Sequence, residues 1–375
     1  MIEQILNADD FEIDEESAIL LYENAPLSDL MFAASVIREK TVPGKSVTYM
    51  VDRNINYTNI CTINCHFCSF YRPPGHLEVY TQSVDQISQK IAELEDLEGS
   101  RILMQGGVNP NLELEWYTGL ISDLRKRHPS IDLDCFSPIE IEGIADVCGL
   151  STMEVLIELQ SAGLHGLPGG GAELLVDEIR LDVSPKKGLS ENWLRIMGEA
   201  QKIGLVTSAT NVIGFGESRA QRVAHLSRIR ALQSNSLHDG FHGFTSFISW
   251  PVMLENNSLG RRNRGASKYE LGAGAAEYLR HLAISRIYLH NITHMQASWP
   301  TMGMKVAQIA LSAGADDIGS TMMEENVVSA SGTTKTLATE EELRKTIVEA
   351  GFIPVKRNSE YQVAERKTSP KIILS

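Results

Sequence analysis

Three of the five cysteines, Cys61, Cys65 and Cys68, fall within eight residues in the run NYTNICTINCHFCSFYR, spaced C-x3-C-x2-C. Cysteine thiolates hold iron–sulfur clusters, usually four to a cubane, so three close thiolates bind three irons and leave the fourth open to another ligand. The competing chemistry is zinc, which takes four protein ligands, with His66 or His76 as the fourth. His66 lies between two of the cysteines, and zinc knuckles pair two separated C-x2-C units, so the cluster is favoured and zinc stays open. Cys135 and Cys148 stand apart and read as small buried hydrophobes.

Short polar or glycine-rich strings recur elsewhere: QGG at 105–107, SP at 137–138, PGGGAE at 168–173, GFGE at 214–217 and ASW at 297–299. Each follows an apolar or β-branched stretch, which supplies the elements that position them. Strands are expected at 54–60, 101–105, 132–136, 163–167, 206–213, 243–249, 292–298 and 315–320, most of them followed by an amphipathic segment such as SVDQISQKIAELEDL. Strict strand–helix alternation implies a parallel sheet, and eight repeats suit an α/β fold of the (β/α)8 TIM-barrel type. A doubly wound open sheet is the alternative. In a barrel the strings above share the C-terminal rim, where functional groups sit. Residues 1–46 read as an N-terminal helical extension, 47–338 as the barrel, and 339–375 as one more helix and a polar tail.

The bulk composition narrows the setting. Hydrophobic residues make up 43% and charged residues 22%, ordinary for a globular chain, and the net charge of −14 argues against a nucleic-acid surface. No apolar span of about 20 residues suggests a membrane crossing. The acidic start MIEQILNADDFEIDEES lacks the order of a secretory signal, and the cysteine pattern suits a reducing compartment, so a cytoplasmic location is expected. No phosphate-binding P-loop or dinucleotide fingerprint follows a first strand.

The C-x3-C-x2-C spacing with an aromatic, Phe67, before the last cysteine resembles the signature of the radical S-adenosylmethionine superfamily. The resemblance implies a [4Fe-4S] cluster on Cys61, Cys65 and Cys68. Its open iron would be chelated by S-adenosyl-L-methionine, which is cleaved to a 5′-deoxyadenosyl radical. It further implies that Gln105, Gly106 and Gly107 meet the methionine amino group and that Glu173 approaches the ribose hydroxyls. Ile213, Gly214 and Glu217 match the segment whose backbone contacts adenine. As bare patterns, GG is a tight turn and GxG a weak signal; PGGGAE is more specific, since three glycines are costly to order.

Longer strings, among them RNINYTN, LPGGGAE, MQASWPTMGM and STMMEENVVSA, resemble the cyclic dehypoxanthinyl futalosine synthases of menaquinone biosynthesis, from about Val47 to Tyr361. The implied reaction removes a hydrogen from ribose C4′ of dehypoxanthine futalosine. The carbon radical then closes a spirocycle on the benzoate ring, with final loss of one electron and one proton. A reducing donor of the flavodoxin or ferredoxin type is implied as partner. Tyr80 matches a family tyrosine, and Glu324 and Asn326 are expected to face the site ahead of Asp316 and Asp317; a carboxylate or phenol at the rim would serve as the final base. Arg72 and His76 are expected to bind the substrate carboxylate, and Ser298 and Trp299 the benzoate or ribose, with solvated loop and barrel-mouth packing as the plainer alternatives. Asn109, Asp134 and Phe215 stand where the family often has histidine, which weakens the substrate expectation. Sister radical enzymes (aminofutalosine synthase or deazaflavin-forming types), a paralogue acting on a related nucleoside or aromatic acid, and a zinc-stabilised binding barrel are the alternatives.

Overall fold

A computed structural model describes residues 2–7, 11–263, 270–333 and 335–363. Its strands are β1 (Ser46–Met50), β2 (Asp52–Ile55), β3 (Arg101–Met104), β4 (Asp132–Cys135), β5 (Gly166–Leu167), β6 (Val206–Ile213), β7 (Phe244–Pro251), β8 (His294–Gln296), β9 (Asp317–Ser320) and β10 (Ile353–Lys356). They form one parallel sheet in the order β10-β1-β9-β8-β7-β6-β5-β4-β3-β2.

The ends of that order meet. β1 and β2 are one run of chain broken only at Val51. Met50 pairs with Ser320 of β9, while Arg53 pairs with Ile102 of β3 on one side and bridges Met323, just past β9, on the other. The run 46–55 together with β3 through β9 therefore makes eight staves of a barrel, as the strand–helix alternation leads one to expect, and an open doubly wound sheet is excluded.

The helices between the strands form for local reasons. Val84–Glu95 opens with a capping box of Ser83 and Gln86 and buries Ile87, Ile91 and Leu94. Thr152–Ala162, Arg219–His238 and Glu340–Glu349 open the same way, at Ser151, Ser218 and Thr339. The N-terminal helices Ile2–Asn7, Glu15–Asn24 and Leu27–Thr41 are where the composition suggests; the last packs on helix Ala275–Tyr288 of the barrel.

Three strand expectations are corrected. The first stave runs over 46–55, not 54–60. Beyond Ile55, Asn56, Thr58 and Asn59 donate side-chain hydrogen bonds to the carbonyls of Gln105, Tyr80 and Glu78, and these compete with a ladder. The stretch 163–167 is reduced to β5, because Gly163 (φ 115°) is still the left-handed cap of the preceding helix. Past the last helix the chain adds β10, pairing with β1 opposite β9, where only a polar tail was expected.

Candidate active site

The cysteine loop is held by its backbone. Cys61 N–H donates to Arg72 O (3.0 Å), Thr62 N–H to Val108 O (3.1 Å) and His66 N–H to Val183 O (2.8 Å), while Leu259 N–H donates to His66 O (2.7 Å). It thus rests on the loop after β3, on the end of helix Asp177–Val183 and on the segment after β7. Gly107 makes this fit possible: a Cβ there would lie 2.2 Å from Ile60 O and 2.6 Å from Cys61 Cβ.

Burial pushes the Cys65 thiol up to about 11 and raises that of Cys68. Cys61 and Cys65 each add a charge effect on their neighbour Cys68 or receive one from it, and burial together with all three thiols raises the Tyr71 phenol. The three sulfurs therefore share one electrostatic neighbourhood. Thiols so buried become thiolates readily only around a cationic centre. Among the described residues no three His, Cys, Asp or Glu side chains are drawn together so that they could hold a single metal ion. His66, the zinc alternative's fourth ligand, has its Nδ1 3.1 Å from Arg262 Nη1 instead, and His76 is exposed with its Nδ1 accepting from Glu78 N–H.

Below the loop a cavity of about 340 Å³ runs down the barrel. β3 shows the logic of its wall: Arg101, Leu103 and Gln105 alternate into it, while Ile102 and Met104 pack outward, fully buried. Four residues at roughly 3.3 Å each put Gln105 about 13 Å above Arg101. Near the top stand Phe67, Cys68, Gly169–Gly171 and Glu173. Gly170 is pressed against Gln105, whose Nε2 would lie 2.6 Å from any Cβ at that position.

Glu173 has a left-handed backbone (φ 42°) and is buried. Its Oε1 accepts from Lys187 Nζ at 2.5 Å, and its Oε2, 3.6 Å from Arg180 Nη1, is a buried oxygen with no hydrogen-bond partner. An unsatisfied carboxylate oxygen on a cavity wall suits a ligand hydroxyl. With three cysteines on one loop and a glycine-lined wall beside it, the residues fit a three-thiolate cluster and an adenosylmethionine.

Of the remaining expected residues, Ser298 lines the cavity, with its Oγ 2.9 Å from Thr301 Oγ1. Trp299 is 1% exposed and donates its indole N–H to Ser320 O, a packing position. Gly106 N–H donates to Glu140 Oε1 (2.9 Å), which also accepts from Tyr57 Oη; burial pushes that carboxyl up to about 7. Ile213 is fully buried, and Glu217 accepts from Gly214 N–H, Phe215 N–H and Arg222, so this turn is tied to itself while Val212 reaches the cavity.

Arg72, His76, Tyr80 and Glu324 do not line the cavity either. Arg72 pairs with Glu78 and donates to the carbonyls of Ser69, Phe70 and Tyr71. His76 is on the exposed loop described above. Tyr80, 36% exposed, sets its ring 6.4 Å from that of Phe70, and burial and the charge of Glu324 push its phenol up to about 12. Glu324 pairs with Arg53 (2.8 Å) and Lys90. In its place Glu325 lines the cavity, its carboxylate accepting N–H bonds from Val327, Val328 and Ser329. Asn326 is one contact away, with Nδ2 3.3 Å from Oδ1 of the cavity residue Asn56.

The cavity floor was not singled out from sequence. Arg101 donates to Asp52 and stands 3.7 Å from Asp134; Arg357 is paired twice with Asp317; Tyr361 stacks on His294 at 3.9 Å. Arg101, Asp134, Arg357 and Tyr361 all line the cavity. The departures noted from the family separate here: Asp134 faces the cavity, Phe215 packs on Phe67 (5.3 Å), and Asn109 is buried with Oδ1 accepting Asn111 N–H. Asp134 was the available signal for this floor.

The chain matches the family model of the radical SAM superfamily over residues 55–229 and that of the CofH/MqnC C-terminal region over residues 241–370. It is 42% identical to the cyclic dehypoxanthine futalosine synthase of Halalkalibacterium halodurans, over 97% of this chain and 94% of that protein. It is 36% identical to a 5-amino-6-(D-ribitylamino)uracil–L-tyrosine 4-hydroxyphenyl transferase of Archaeoglobus fulgidus, over 88% and 92% of the two chains. The crystal structure of HydG, a maturase of the [FeFe]-hydrogenase, superimposes with a TM-score of 0.70 at 16% identity, covering 94% of this chain and 74% of that one, a likeness of fold.

Proposed function

The chain belongs to the radical SAM superfamily, in the group of the CofH/MqnC family model, and we propose that it is a cyclic dehypoxanthine futalosine synthase of menaquinone biosynthesis. The observation that carries this reading is the near full-length 42% identity to a synthase of that name, against 36% for the tyrosine-using transferase. When bound, the [4Fe-4S] cluster and S-adenosylmethionine supply the one-electron cleavage that takes a hydrogen atom from substrate carbon.

The protein's share is placement. Cys61, Cys65 and Cys68 would hold the cluster, and Glu173, whose Oε2 has no partner in the protein, would accept from the ribose of adenosylmethionine. Gly169–Gly171 let that nucleoside approach the wall closely. The substrate would lie below, against Leu103, Ile248 and Val252, which line the cavity. The final step releases a proton, and three carboxylates line the cavity: Glu173, assigned above to the ribose, Asp134 and Glu325. Asp134 is engaged by the Arg101 guanidinium at 3.7 Å and by His165 Nδ1 at 3.0 Å, whereas burial raises the Glu325 carboxyl, which makes it the better proton acceptor. Glu325 therefore replaces Glu324 and Tyr80 as the base in this reading.

A small reductive partner of the flavodoxin or ferredoxin type and a cytoplasmic setting complete the proposal. Five free cysteines suit that setting, and no helix among the described residues is long and apolar enough to cross a membrane. The test is anaerobic incubation of reconstituted, reduced enzyme with adenosylmethionine and dehypoxanthine futalosine, with products read by mass spectrometry. The cyclised product is expected, with one 5′-deoxyadenosine per turnover. A product formed only from 5-amino-6-(D-ribitylamino)uracil and tyrosine would transfer the assignment to the other named group.

A further inference from the structure

The segment after helix Asp177–Val183 ends in a 3-10 turn, Pro185–Lys187, and lies directly on the cysteine loop. It touches the loop three times. Val183 O accepts from His66 N–H at 2.8 Å, Lys186 Nζ donates to Thr62 O at 3.2 Å, and Lys187 Nζ sits 5.5 Å from the centre of the Phe67 ring. Lys186 is exposed, whereas Lys187 is 8% exposed.

A buried ammonium is expensive unless it is paired. Lys187 gives one hydrogen bond to Glu173 Oε1. Its ammonium is thereby paired with a buried carboxylate. A permanent cation thus stands between the cysteine loop and the carboxylate that faces the cavity. Phe67 and Gly171 lie beside it, and Glu173 is the ion it answers.

We infer that Lys187 is the positioning residue of the cofactor site, offsetting the negative charge of the thiolate-bound cluster and holding Glu173 so that Oε2 faces the adenosylmethionine ribose. The inference rests on the radical reading of the site but not on the identity of the substrate. Reduction adds one negative charge to the cluster, so a nearby cation stabilises the reduced form more than the oxidised one and raises its potential.

The experiment uses reconstituted holoenzyme without substrate, comparing wild type, K187M, K187R and K186Q. Cluster potential is read by redox titration followed by electron paramagnetic resonance, and adenosylmethionine affinity by calorimetry. K187M is expected to keep its iron, to show a more negative potential and to bind adenosylmethionine about tenfold more weakly, the loss of one charge-assisted contact. K187R is expected to restore the potential, and K186Q to match wild type throughout. Equal potentials and affinities in wild type and K187M would overturn the inference. So would loss of iron from both K187M and K187R with unchanged melting of the apo-proteins, which would make the lysine a packing element of the loop. A wild-type protein that takes up no cluster would instead bring down the radical reading itself.

Discussion

His165 Nδ1 stands 3.0 Å from Asp134 Oδ1 at the floor of the barrel cavity. The imidazole comes from the residue just before β5. Gly166 makes room for the pair, since a Cβ there would lie 2.5 Å from Asp134 Oδ1.

That pair gives the protein a pH-dependent stability. Burial opposes charge on His165, but Asp134, Asp132 and Glu360 outweigh it and push the imidazole up to about 9, from an ordinary 6.5. A folded-state value raised in this way contributes stability in full below pH 6.5, and the contribution is lost as pH rises through about 9. The loss is on the order of 3 kcal/mol at most, at about 1.4 kcal/mol per unit. The urea midpoint is expected to fall across that window in wild type and to stay nearly flat in H165N; parallel curves would refute the coupling.

Gly107→Ala is expected to unseat the cysteine loop. The added methyl meets backbone and Cys61 Cβ, neither of which is the free end of a flexible side chain. Overpacking of this kind costs roughly 1–3 kcal/mol, and iron uptake should fall with it. Gly119→Ala is the control: nothing lies within 4 Å of its Cβ in helix Leu114–Arg127, and it is expected to stabilise by about 0.5–1 kcal/mol. Normal iron content in G107A would count against the close-approach role.

Replacing Cys65 by Ala is expected to abolish the brown colour, the absorbance near roughly 400 nm and the bound iron, while the apo-fold survives. Cys135→Ala, in the fully buried core on β4, should do the reverse, lowering stability by about 1 kcal/mol with the iron intact. Iron retained by C65A at the wild-type level would refute the ligand set.

Arg357→Ala removes the only bidentate partner among the described residues of Asp317, a fully buried carboxylate that also accepts from Thr48 Oγ1 and Gly319 N–H. Leaving a buried charge uncompensated costs about 3–5 kcal/mol, so the melting temperature should drop steeply. R357A/D317N should recover much of the loss, and a single variant as stable as wild type would show that the C-terminal segment does not brace the floor.

The local determinants of this protein are written in short stretches of chain. Three cysteines within eight residues, the capping serines before three of the helices and the β-branched segments between them mark the cluster loop and the alternation of strand and helix, because each signal needs only neighbours in sequence. Even there the first strand is displaced, since asparagine and threonine side chains at 56–59 take up backbone groups that a ladder would use. The rest waited for closure of the barrel. Arg101, Asp134, His165 and Arg357 come from four separate elements and meet only when those elements are brought together around one floor. Lys187 joins Glu173 and the cysteine loop for the same reason. Glu324 and Glu325 differ by one position in a segment without periodicity, and the left-handed backbone at Glu324 (φ 65°) sends one carboxylate to Arg53 and the other to the cavity. Spacing along the chain sets which groups are available; the sense in which irregular backbone points them is set by what packs around it.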